Sequence, residues 1–280
     1  MKREYLIDKI ISLAIEEDVE SGDVTTNSLV PENRAAVAEM TAKADGVVSG
    51  LDIAKSVFER FDIGIKWTPF VEEGDKVIKG DRLVRVEGSY RALLTAERTA
   101  LNIIQRMSGI ATATANYAKE LKGTNTQLLD TRKTAPGMRL LDKMAVKAGG
   151  GKNHRMGLYD LALIKDNHIK IAGGISNAVS QIKEALPEIT IEVEVTNLEE
   201  TIEAIHAEAD IIMLDNMSIE QMSAAVKLID NKAKTEASGN MTLQRIKEVA
   251  STGVDFISVG ALTHSVTALD ISMNIIPTNY

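Results

Sequence analysis

No cysteine occurs among the 280 residues, so disulfides, thiolate nucleophiles, iron–sulfur clusters and cysteine zinc sites are all excluded. Nor is any apolar run long enough to span a membrane. The N-terminal stretch mixes apolar and charged positions and lacks the unbroken apolar core of a secretion signal, so a cytoplasmic protein is expected. Positive charge is in short supply: 32 Lys and Arg face 40 Asp and Glu, a formal net charge of −8. That balance disfavours a nucleic-acid surface, which needs a broad basic face. Familiar catalytic signatures are missing as well. There is no HExxH, and the four histidines are too scattered to imply zinc. Gly151-Lys152 is followed by Asn, with Val146 where a P-loop has its first glycine. No nucleophile–base pair is evident, which argues against covalent acyl transfer.

Against this background one segment is cationic. Between Asp130 and Lys170 nine Lys and Arg face four Asp, and the segment includes Asp130-Thr-Arg-Lys-Thr-Ala-Pro-Gly137 and Gly149-Gly-Gly-Lys-Asn-His-Arg-Met156. A basic island in an acidic chain suggests a local site for a small polyanion. The Gly and Pro around it place much of the charge on loops, where catalytic groups are commonly presented.

The organisation changes near the middle of the chain. Residues 1–110 mix a helix at the N-terminus with extended stretches near 35–41 and 47–50. Residues 71–88 read as short strands punctuated by Gly-Asp turns; a lipoyl- or biotin-carrier reading fails because Lys76 and Lys79 occupy no hairpin tip. A long helical pattern over 93–122 follows, with a break expected near Ser108-Gly109. Beyond residue 125, strand and helix alternate, with strand candidates at 127–130, 161–165, 190–195, 210–215, 234–238 and 255–260. Six such alternations imply a parallel sheet, and their near-equal spacing favours a barrel over an open, doubly wound sheet.

The C-terminal ends of these strands carry the chemistry. In order they are Asp130 with Arg132 and Lys133, Lys165 with Asp166, Glu194, Asp215 with Asn216, Ser238-Gly-Asn240, and Gly260-Ala261. A barrel brings such ends to one mouth. A single Asp there would be an ordinary helix cap. Recurrence along the chain is what points to a site. The glycines of the last two ends let backbone amides approach a phosphate, with a plain turn as the alternative. Beside a phosphorylated ligand, Glu194 and Asp215 would hold Mg²⁺, directly or through water, or contact ribose hydroxyls. Their structural alternative is pairing with Lys165 or Lys133. His154, next to Arg155, reads as a ligand contact and His206 as solvated, while His264 suits either a phosphate contact or packing.

These motifs, with Leu163-Ile-Lys-Asp-Asn-His168, Glu192-Val-Glu-Val195, Met213-Leu-Asp-Asn216, Glu236-Ala-Ser-Gly-Asn240 and Ile257-Ser-Val-Gly-Ala-Leu-Thr-His264, resemble the quinolinate phosphoribosyltransferases. Asp23-Val-Thr-Thr26 and Thr95-Ala-Glu-Arg-Thr-Ala-Leu-Asn102 extend the likeness over nearly the whole chain. The resemblance implies an α/β fold: an N-terminal α/β sandwich over 1–110, and an open seven-stranded α/β, TIM-like barrel with the active site over 111–270. A segment at 271–280 would return to the first domain. It implies a homodimer, with a hexamer as the larger alternative, and Arg98 of the partner subunit entering the site. Arg132, His154, Arg155 and Lys165 would clamp quinolinate. Lys133 and Lys165 would meet the pyrophosphate of phosphoribosyl pyrophosphate, which comes with Mg²⁺; Glu194 and Asp215 would take ribose hydroxyls and metal. The 5′-phosphate would lie at Ser238, Gly239, Asn240, Val259, Gly260, Ala261 and His264. The implied products are nicotinate mononucleotide, pyrophosphate and CO₂, on the route to NAD. Rival readings are a transferase for a monocarboxylate such as nicotinate, a molybdenum-associated paralogue with another ligand, and a catalytically silent anion sensor. His168 and residues 23–26 are left without a role, helix-cap chemistry being the simple reading of the latter.

Overall fold

Ala36, Ala38, Met40 and Ala42 are buried while the residues between them are not, the period-2 pattern of a strand with one face on a core. In the computed structural model, which describes residues 3–276, they belong to β1 (Ala35–Ala42). β2 (Gly46–Val47), β3 (Lys66–Pro69), β4 (Lys76–Val77) and β5 (Arg82–Ser89) follow. Beyond residue 125 come β6 (Gln127–Leu129), β7 (Ala162–Ile164), β8 (Ile191–Val195), β9 (Ile211–Asp215), β10 (Lys234–Ser238), β11 (Phe256–Ser258) and β12 (Ile271–Ile276). The chain forms two units, one of residues 1–115, 135–150 and 265–280, the other of 116–134 and 151–264.

In the first unit β12, β1, β5 and β3 make an antiparallel sheet in that order, and β2 pairs with β4. The pairing of β12 with β1 runs from Ala42 opposite Ile271 to Val37 opposite Ile276. The rest of the expected returning segment, 277–280, lies outside the described residues. Helix Tyr90–Glu120 is continuous, against the expected break at Ser108-Gly109. Ser108 Oγ accepts from Ser49 N–H at 3.0 Å and donates to Ser49 O at 3.1 Å. A Cβ on Gly109 would stand 2.1 Å from Thr267 O, so this glycine serves close backbone approach. Helix Arg139–Ala148 also belongs to this unit and carries Arg139, Lys143 and Lys147 of the cationic island. Its fully buried Asp142 accepts two hydrogen bonds, 2.8 and 2.9 Å, from Arg106.

The second unit is a parallel sheet ordered β6-β11-β10-β9-β8-β7. All six strands fall where the apolar segments predict, and the first in sequence, β6, lies beside the last, β11, as in a barrel. Seven strands were expected. Among the described residues a seventh is reduced to one parallel bridge, Lys152 with Leu129, on the outer side of β6. The reason is local: Lys152 follows Gly149-Gly150-Gly151, and glycine has no side chain to pack on a pleated surface. Val193, Ile212, Leu214, Ala237 and Ile257 are fully buried, and each large apolar side chain among them contributes roughly 1.5–3 kcal/mol. A well-buried sheet therefore stands beneath the strand ends.

Candidate active site

A cavity of about 690 Å³ opens at the C-terminal ends of these strands. Its walls include Arg132, Lys133, Arg155 and Lys165, so four of the nine cations of the basic island line it. Glu194, Asp215, Ser238, Gly239 and Asn240 line it too. The cavity belongs wholly to the second unit, whereas Arg98 is exposed on helix Tyr90–Glu120 in the first.

The cations are fixed in different ways. Arg132 and Lys133 sit on the turn after β6, where Thr131 Oγ1 accepts from Lys133 N–H at 3.0 Å. Arg132 Nε is buried without a hydrogen-bond partner, a donor aimed where no protein acceptor exists. Arg155 donates to Leu161 O at 3.0 Å. Burial, then repulsion from Arg132, holds the Arg155 guanidinium below its ordinary pKa, with Glu192 and Asp160 acting in the opposite sense. Two guanidiniums close enough to repel each other are suited to an anion with two acceptor groups. Lys165 Nζ lies 2.8 Å from Glu194 Oε2, the structural pairing weighed from the sequence, although both still face the cavity.

The carboxylates at the next two ends come from neighbouring strands. Asp215 Oδ2 accepts from Asn216 Nδ2 at 2.7 Å, and Asn216 Oδ1 accepts from Asn240 Nδ2 at 3.1 Å. Gly239 has φ +90°, and a Cβ there would meet Asn216 Oδ1 at 2.2 Å. Only glycine fits, and its carbonyl is held by Arg245, which also reaches Met217 O at 3.0 Å. Of the other phosphate candidates, Val259 is buried, and Val259, Gly260, Ala261 and His264 do not line the cavity. Gly260 is wedged between Lys133 and His264, whose atoms would lie 3.0 and 3.1 Å from an added Cβ. Thr263 Oγ1 donates to Lys133 O at 2.9 Å, tying this turn to the loop after β6.

His154 differs from the expected ligand contact. It lines the cavity, but Nδ1 accepts from Arg155 N–H at 2.7 Å, and Nε2 faces Glu192 Oε2 at 3.0 Å and Glu236 Oε2 at 3.5 Å. Both ring nitrogens are therefore directed at protein atoms. Its backbone is anchored by fully buried Asp130, which accepts from His154 N–H at 2.9 Å and from Asn153 Nδ2 at 2.6 Å. Neither oxygen of Glu192 nor Oε1 of Glu236 has a hydrogen bond of good geometry. Burial, then the neighbouring Glu192, pushes the Glu236 carboxyl up to about 8, with His154 and Ser258 opposing.

The sequence reading gave these two acids no role. Glu192 is two residues from Glu194 and so shares its face of β8, and Glu236 likewise shares a face of β10 with Ser238. His168 is a cap: its Nδ1 accepts from Lys165 N–H at 3.0 Å, at the start of helix Asp166–Ala172. Asp23 caps helix Val24–Leu29, accepting from Thr26 N–H at 2.9 Å, and this bonding lowers its pKa. No helix among the described residues is long and apolar enough to cross a membrane.

Residues 23–108 match the family model "Quinolinate phosphoribosyl transferase, N-terminal domain", and residues 110–274 match that of the C-terminal domain. The chain is 44% identical to the chloroplastic nicotinate-nucleotide pyrophosphorylase [carboxylating] of Arabidopsis thaliana, over 97% of this chain and 83% of that one. It is 42% identical to the enzyme of the same name from Mycobacterium leprae, over 95% of each. A solved structure of the nicotinate-nucleotide pyrophosphorylase from Francisella tularensis superposes with a TM-score of 0.94 at 42% identity, covering 99% of this chain and 98% of that one.

Proposed function

The chain belongs to the quinolinate phosphoribosyltransferase family, and from that premise we propose how its cavity performs the family's reaction. As a member it is a phosphoribosyltransferase of NAD biosynthesis, converting quinolinate and phosphoribosyl pyrophosphate to nicotinate mononucleotide, pyrophosphate and CO₂. One observation carries the assignment of roles: Arg132, whose buried Nε has no partner, and Arg155 face the same cavity. They take the two carboxylates of quinolinate, and Lys165 completes the clamp. His154 lies against it as a positioning residue, since its nitrogens are directed at protein atoms.

Lys133 and Lys165 meet the pyrophosphate, and Ser238, Gly239 and Asn240 meet the 5′-phosphate. Gly260 packs against the Lys133 side chain, and Thr263 holds the Lys133 carbonyl. Glu194 and Asp215 are hard oxygen donors on adjacent strand ends and fit Mg²⁺, which keeps much of its water shell. They would hold the ion through water, and bound there it would neutralise charge on the pyrophosphate. The ring nitrogen attacks the ribose anomeric carbon as pyrophosphate departs, with Glu194 and Asp215 facing the cationic sugar. Positioning and charge stabilisation then supply most of the acceleration. A cytoplasmic homodimer, with Arg98 of the partner subunit closing the quinolinate end, is part of the same proposal.

The test is an assay with Mg²⁺ and phosphoribosyl pyrophosphate, offering quinolinate or nicotinate separately and following nucleotide and CO₂. Nucleotide with CO₂ from quinolinate alone supports the dicarboxylate clamp. Turnover of nicotinate would overturn it.

A further inference from the structure

The floor of the cavity contains an acid for which the clamp, the metal pair and the phosphate turn have no use. Glu236 lines the cavity from within β10 yet is only 1% exposed, and Glu192 beside it is 0% exposed. Two carboxylates this deep and this close do not both stay ionised, because burial and each other's charge raise the cost of ionising the pair. One of them keeps a proton. His154 Nε2 lies 3.0 Å from Glu192 and 3.5 Å from Glu236, and of these two acids only Glu236 lines the cavity, so only it can hand a proton to a bound ring. Glu236 is then the neutral acid, and its Oε1 is buried without a partner.

The reaction needs such a proton. When CO₂ leaves the ring carbon beside the cationic nitrogen, the electron pair of the broken C–C bond remains on that carbon. The product nucleotide carries hydrogen there. Among the groups lining the cavity, the guanidiniums of Arg132 and Arg155 are too weakly acidic to donate, and Lys133 and Lys165 have the departing pyrophosphate to meet in the proposed roles. We propose that Glu236 holds the proton that replaces the departing carboxylate on the pyridine ring. The step balances: the C–C bond breaks to give CO₂ and a ring carbanion, and the Glu236 O–H bond breaks as the new C–H bond forms. Glu236, left as carboxylate, regains a proton from solvent once product has gone. Glu192 and His154 are positioning residues that keep the proton on Glu236. Prompt protonation commits the step, because an unquenched carbanion recaptures CO₂.

The inference rests on the proposed function and is tested separately from it. In a single turnover of the full-length enzyme with Mg²⁺, phosphoribosyl pyrophosphate and quinolinate, pyrophosphate and CO₂ are measured in the same quenched samples. In the wild-type enzyme they appear together. In Glu236→Gln, pyrophosphate is expected to precede CO₂ by at least tenfold in rate, with the carboxylated nucleotide accumulating. Glu236→Asp, which keeps an acid, should bring the two back towards coincidence. If pyrophosphate and CO₂ stay coincident in Glu236→Gln, or if Glu236→Asp lags as much as Glu236→Gln, the proposal is overturned. Wild-type enzyme that forms no CO₂ from quinolinate would instead overturn the proposed function.

Discussion

Arg132 Nε, on the cavity wall, is buried without a hydrogen-bond partner. A buried donor without an acceptor costs about 1–3 kcal/mol, a cost that a carboxylate would remove in the proposed clamp. Arg132→Ala is therefore expected to lower kcat/KM for quinolinate on the order of 100-fold or more, checked by steady-state kinetics with quinolinate varied. Near-wild-type activity would exclude Arg132 from the clamp. Glu236 gives a pH prediction. Its carboxyl ionises near 4.5 when unfolded and near 8 when folded, so the folded state keeps a proton that the unfolded chain loses. Stability associated with this group is complete below pH about 4.5 and falls as pH rises towards about 8. Glu236→Gln removes that slope, and thermal melts from pH 5 to 9 should show the variant gaining on the wild type as pH rises. A constant difference across this range would show that Glu236 does not hold its proton in the folded protein. That Arg132 and Arg155 belong to a cationic site was legible from residue type and loop context. The acid pair was not, because its meaning depends on β8, β10 and the loop carrying His154 coming together.

Turns and helices fix how accurately those side chains are held. Gly239 occupies a left-handed conformation and abuts Asn216, so Gly239→Ala must displace the Asp215–Asn216–Asn240 hydrogen-bond chain. The expected result is a KM for phosphoribosyl pyrophosphate raised more than tenfold, with quinolinate affinity changed less; titration of each substrate separates the two. Helix Arg139–Ala148 supports the fold through Asp142 rather than through the site. Asp142→Ala removes the acceptor of two Arg106 hydrogen bonds inside the first unit and should cost about 3–5 kcal/mol in urea unfolding. A loss below 1 kcal/mol would show that Arg106 finds full compensation elsewhere. Periodicity located most of these elements but misread Gly109, since a glycine that breaks a helix and one that admits a neighbouring backbone look alike in sequence.

At the scale of the whole molecule, the proposal that Arg98 of the partner subunit closes the site makes a mixing prediction. Arg98→Ala and Lys133→Ala should each be nearly inactive alone. Co-expressed, they should recover about a quarter of wild-type activity, because half the dimers are mixed and each mixed dimer has one intact site. No recovery would mean that Arg98 acts within its own chain or not at all. The sequence by itself determined the α/β class, the six parallel strands, the charged residues at their ends and, through ordered motifs, the family. These follow from local periodicity and residue chemistry, which need no knowledge of distant contacts. Only the tertiary structure decided that three cations of the basic island ride on a helix of the first unit, that Lys165 is paired with Glu194, and that His154 faces two buried acids. Each depends on which groups meet across strands, and burial sets the energy of such meetings by removing the water that would otherwise screen them.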